Sequence, residues 1–158
     1  NPCLTSMMLV RRPLLEEIPM HGDLGGADDI AMKIELATRT RFDFVDEPLV
    51  VAGEPDWTLG TSWSAIDGRR AILEQYADLY DRVQPSVRAR ALAETHSKAG
   101  RRHLEDRRWS WRAILAFGRA VNHDPDHRPL YWAEFASSLF GRTGRHLARV
   151  VGNRVAVW

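Results

Sequence analysis

Two adjacent carboxylates, Asp28 and Asp29, follow the glycines Gly25 and Gly26 and precede Ile30-Ala31-Met32-Lys33-Ile34-Glu35-Leu36. The apolar residues of that run recur at helical spacing, so a Gly-rich loop delivers an acidic pair to the first turn of a helix. Free N–H groups and the helix dipole favour negative charge there. A carboxylate held beside such a loop can take a proton from a docked substrate hydroxyl, which is general-base chemistry. Read alone, the pair caps the helix and does nothing else.

Other residue types fit chemistry less well. His21 lies in the same loop and could touch a substrate, although a loop histidine is more commonly just solvated. Asp124-Pro125-Asp126 has the letters of a metal-binding Asp-x-Asp but falls in a turn between helices, whereas a metal needs convergent oxygen ligands, so no metal site is assigned. His123 and His127 are separated by that turn and do not share a helix face. Trp57 and Trp63 could stack on a sugar or a base, or anchor the helix that follows. Arg101, Arg102, Arg107, Arg108, Arg142 and Arg145 offer a basic face for anionic lipid or nucleic acid, or a solvated helix surface. No helix-turn-helix or stacking platform accompanies them, so no nucleic-acid partner is expected.

The elements that position the acidic pair are read from periodicity. Residues 5–10 form an apolar run closed by Arg11-Arg12, predicted as a largely buried strand. Pro13 opens a short helix over 13–18, and residues 19–27, with Gly22, Gly25 and Gly26, form a loop. A helix spans 28–38, with apolar residues on two faces. Residues 42–45 and 49–52 read as two short strands, and 53–62 as a connection. From Trp63 the period becomes helical: Trp63, Ile66, Leu73, Tyr76, Tyr80 and Val83 predict one helix ending before Pro85. Further helices are predicted over 86–104, 110–122, 130–140 and 145–150, paired as hairpins in a small bundle.

Composition bounds these readings. The 158 residues are 44% hydrophobic and 27% charged, with six Trp and five Phe, which excludes a disordered chain. No apolar run is long enough to span a bilayer. One cysteine, Cys3, excludes an internal disulfide and a thiolate metal cluster and suits a reducing compartment. Charge is uneven: residues 1–60 sum to −6 and residues 61–158 to +7. Such asymmetry suggests two functionally different halves, the second suited to an anionic surface. The chain begins Asn1-Pro2 rather than with Met, and three short strands are a poor sheet by themselves, so it reads as a piece of a longer protein with sheet partners upstream.

In order, these pieces resemble the C-terminal part of the catalytic domain of glycosyltransferase family 2, nucleotide-sugar enzymes of GT-A fold. In that family a strand ending in basic residues, a short helix and a Gly-containing loop lead to an acidic pair that opens a helix. A strand ending in Glu-Pro-Leu-Val follows. Here Asp28-Asp29 fills the acidic pair and Val45-Asp46-Glu47-Pro48-Leu49-Val50 matches the strand. The helical tail and the His123-Asp124-Pro125 turn also resemble the family's tails. The resemblance covers about residues 4–83 well and 86–140 loosely. Two positions depart from its pattern. Residues 18–23 stand where Gly-Gly-Phe-Asp-Glu is common, and Glu35 stands where an Arg is common.

The resemblance implies an α/β fold. Residues 1–62 are expected to be the acceptor-side end of a Rossmann-like GT-A sheet, and 63–158 a helical region. It implies an inverting sugar transferase with Asp29 as catalytic base and Asp28, Gly25, Gly26 and His21 on the acceptor side. The donor is a nucleoside-diphosphate sugar, and the acceptor a glycan or a lipid-linked hydroxyl. Divalent Mg or Mn is expected in the parent protein, with its ligands upstream of this chain, so the chain alone is expected to be inactive. The implied location is cytoplasmic, with peripheral contact at the inner face of the membrane. The alternative is a helical protein-interaction module carrying a non-catalytic α/β remnant.

Overall fold

The computed structural model describes residues 7–19, 22–47, 49, 62–124 and 129–144. Arg11 is extended, and Pro13 falls in the first turn of helix α1, Arg12–Glu16, where its missing N–H interrupts no bond. After the glycine loop comes α2, Asp28–Arg39, with both acids in its first turn. Ser62 caps α3, Trp63–Gln75, by accepting a hydrogen bond from the Ala65 N–H at 3.1 Å. Helix α4, Ala77–Val83, follows directly. Gln84 is then extended, as the residue before a proline must usually be, and Pro85 starts α5, Pro85–Asp106. Helices α6, Trp111–His123, and α7, Pro129–Ser138, complete the described chain.

The α/β expectation is corrected here. Among the described residues there is no strand, and every regular element is a helix. Residues 7–10 and 42–45, expected in strands, form no ladder: Leu9 is fully exposed between half-buried Met8 and Val10, and 42–45 all face solvent, with Phe44 82% exposed. Residues 5–6 and 50–52 of the expected strands lie outside the described residues, as does the expected helix 145–150. Alternation and β-branched content mark a segment able to pair. Pairing itself requires a neighbouring ladder and a face to bury, and among the described residues no ladder stands beside these runs. Among the described residues there is therefore no GT-A sheet.

The helical expectations fared differently. The helix expected over 63–83 is two helices, broken at Tyr76, whose φ of −104° and ψ of 21° leave the helical region. Its phenol donates to the Glu35 carboxylate at 2.6 Å and so ties the break to α2. Gly100 lies inside α5. A Cβ there would fall 2.8 Å from the Phe117 ring, so its absence is the notch that receives this fully buried side chain. Ala93, Ala99 and Gly100 on α5 face Ala116, Phe117 and Ala120 on α6, and α7 closes on α6 through Tyr131 and Phe135. Small residues on both faces bring α5 and α6 close together, which is the physical basis of the hairpin.

Candidate functional site

The acidic pair sits where α2 meets α3. Gly25 and Gly26 both have positive φ, +58° and +95°, and turn the chain into the helix. A side chain at Gly25 would collide with the Ser64 carbonyl at 2.6 Å, and one at Gly68 with the Leu24 carbonyl at 1.9 Å. Two glycines, one on the loop and one on α3, thus let backbone lie against backbone. Beneath them Leu24, Ala27 and Ala31 pack with Ile72, flanked by Ile30, Ile34 and Tyr76. The loop is seated on a core, so the positions of Asp28 and Asp29 are set by packing.

The two acids have different duties. Asp28 folds back on its own loop: Oδ1 accepts from the Leu24 N–H at 3.3 Å and Oδ2 from the Gly26 N–H at 3.2 Å. It thereby ties down the glycine turn. Asp29 is one position further round the helix, with 39% of its side chain open to solvent, and Lys33 Nζ lies 2.9 Å from its Oδ2. That ammonium, one turn on and 15% exposed, anchors one carboxylate oxygen. Of the residues expected on the acceptor side, the structure brings Gly25, Gly26 and Asp28 together with Asp29. His21 lies outside the described residues.

Glu35 was noted in the sequence only as a departure. It accepts from Tyr76 and pairs with Arg39 at the far end of α2, joining α2 to the α3–α4 break. Burial first, and then the Glu35 carboxylate, push the Tyr76 phenol up to about 12.

A second polar group, invisible to the sequence reading, lies in the helical part. Glu134 of α7 is buried, accepts from Ser97 Oγ at 2.6 Å and pairs with Arg101 Nε at 2.6 Å. Nearby, the His96 and His123 rings stack in parallel with centroids 5.4 Å apart. Burial, then the neighbouring His123, Arg119 and Arg70, lower His96 to about 4. Arg101 and Arg102, counted above as part of a basic face, are engaged internally by Glu134 and by Glu105 and Asp106. Trp63 donates its indole N–H to Asp106 at 2.8 Å and packs against Ile66, Ala99 and Ala116, so it anchors α3 on α5. Trp57, His127 and Arg145 lie outside the described residues, as do Pro125 and Asp126. Asp124 is buried at the end of α6.

Among the described residues no three His, Cys, Asp or Glu side chains converge as a metal site would require. No described helix is long and apolar enough to cross a membrane. No family model, curated protein or solved structure matches the chain.

Proposed function

We propose that residues 12–39 are the acceptor-side catalytic segment of a family 2 glycosyltransferase, with Asp29 as general base. The observation that carries this reading is the division of labour in the acidic pair. Asp28 spends both oxygens on the glycine turn, while Asp29 stays partly open on the first turn of a packed helix. A helix cap alone would need only one of them. The sequence order around the pair, from Arg11-Arg12 to Glu47-Pro48-Leu49-Val50, supports the same family.

In this reading the acceptor hydroxyl docks over Gly25 and Gly26. Asp29 takes the hydroxyl proton as the oxygen attacks the anomeric carbon of the nucleoside-diphosphate sugar. The new C–O bond forms on the face opposite the leaving diphosphate, so configuration inverts. Lys33 holds Asp29 Oδ2 and so fixes the carboxylate that receives the proton. The divalent metal of the parent protein is not held by the described residues. The proposal assigns its ligands and the nucleotide site elsewhere in that protein, and no step here passes through the metal.

The test is sugar transfer by the whole protein carrying Asp29→Asn. Loss of a general base lowers turnover by about 10²–10⁴-fold. Donor binding, followed by calorimetry, should stay within about twofold because Asp29 faces the acceptor. Turnover close to wild type would remove Asp29 from the mechanism.

A further inference from the structure

The end of the bundle where α5 hands over to α6 holds a cleft of about 410 Å³, lined by Trp63, Arg107, Trp109, Ser110, Trp111 and Arg112 among others. Its carboxylate is engaged: Asp106 accepts from Trp63 and lies 3.2 Å from Arg102. Its cations are not. Arg107 and Arg112 in its lining, and Arg108 and Arg142 outside it, are exposed, and none pairs with a carboxylate among the described residues. Arg112 lies over the Trp111 ring at 5.8 Å. Ser110, more than nine-tenths buried at the N-cap of α6, makes no capping bond to the first turn. The Ser110 carbonyl accepts from the Ala113 N–H at 3.1 Å, which leaves the Trp111 and Arg112 N–H groups of the first turn without a backbone acceptor among the described residues.

Around the cleft the surface is apolar. Trp109 and Trp111 are 55% and 57% exposed, and Leu115, Leu139 and Phe140 are also exposed. Trp109 donates to the Leu139 carbonyl at 3.2 Å, and the Arg142 N–H to the Arg108 carbonyl at 2.8 Å. These bonds fix the end of α7 and the α5–α6 turn as one surface. Gly141, with φ of +66°, allows that approach, since a Cβ there would meet the Arg108 carbonyl at 2.5 Å.

We propose that this end of the bundle docks on an anionic lipid bilayer. Phosphates are received by Arg107 and Arg112, and the Trp and Phe rings enter the headgroup layer. Charge complementarity selects the occupant. Unpaired arginines beside tryptophans suit an anionic interface, and Leu115, Leu139 and Phe140 add apolar area that gains from the acyl boundary. A nucleic-acid backbone would leave those aliphatic groups in water. Docking here is independent of the sugar-transfer reading, since the Asp28–Asp29 loop is built on α2 and α3.

The experiment is co-sedimentation of the 158-residue chain with vesicles of phosphatidylcholine, alone or with about a third phosphatidylglycerol. Binding is expected only to the anionic vesicles, with a blue shift of tryptophan emission. The double variant Trp111→Ser, Arg112→Gln changes two exposed side chains and should keep the helical circular dichroism of wild type. Its partitioning should fall about tenfold or more. A control carrying Arg39→Gln and Arg82→Gln loses more positive charge elsewhere and should bind as wild type does. Absence of binding to anionic vesicles would overturn the assignment. So would equal loss in the control, or capture of a short RNA by a chain that ignores the vesicles.

Discussion

Neighbouring side chains of the same type can be given different work by one turn of backbone. Asp28 and Asp29 are chemically alike, yet the positive-φ glycines before them let Leu24 N–H and Gly26 N–H reach only the first. Asp29 is left beside Lys33, on the solvent side of the helix. The same local logic operates at His96, which α5 and α6 bury next to a second histidine and two arginines. Its proton affinity is lower in the folded chain than in the unfolded one, so the unfolded state binds more protons as pH falls. The resulting stability is complete above about pH 6.5 and is lost as pH drops toward the folded value of about 4. Thermal melts of His96→Asn against wild type should therefore show a smaller decline over that window. An unchanged decline would show that His96 stays accessible to protons in the fold.

Helices were legible in the sequence because periodicity is a property of one segment. The starts at Asp28 and Trp63 and the Pro85 boundary lie where capping residues, apolar spacing and proline place them. Strands were misread because alternation over 42–45 says nothing about whether a partner is present, and among the described residues none pairs with them. The break at Tyr76 and the notch at Gly100 depend on contacts with Glu35 and Phe117, far away in sequence, and no local pattern announces them. At the candidate site the acidic pair and its glycines were legible, whereas Lys33 and the Gly68 contact were not. Gly68 offers a test at this scale. In an open helix, Gly→Ala gains about 1 kcal/mol. Here the new Cβ would stand 1.9 Å from the Leu24 carbonyl. Separating α3 from the loop should outweigh that gain and cost about 1–3 kcal/mol net. Urea unfolding of Gly68→Ala would measure it, and a stabilised variant would show that the loop is not seated on α3.

At the scale of the whole molecule, the uneven charge acquires a structural meaning. The acids of residues 61–158 are engaged by arginines of the same segment, among them Glu94 by Arg69, Asp81 by Arg88 and Glu134 by Arg101, so the net positive excess rests on the arginines left over. The unpaired remainder includes Arg107, Arg108, Arg112 and Arg142 at one end of the bundle. Glu134 links α7 to α5 through its bonds to Ser97 and Arg101. Glu134→Ala would leave Arg101 and Ser97 without their shared acceptor and should cost about 3 kcal/mol, visible as a lower unfolding midpoint. A loss under about 1 kcal/mol would mean that water replaces the carboxylate.

The sugar-transfer account depends on the unequal duties of the two acids, and the most direct measurement is transfer kinetics of Asp28→Asn and Asp29→Asn in the whole protein. Asp28→Asn keeps one oxygen to accept from the loop and should mainly raise the acceptor KM, with kcat within about tenfold of wild type. Asp29→Asn should lose kcat by about 10²–10⁴-fold with little change in donor KM. Equal kcat losses in the two variants, or a larger loss in Asp28→Asn, would contradict the assignment of Asp29 as the base.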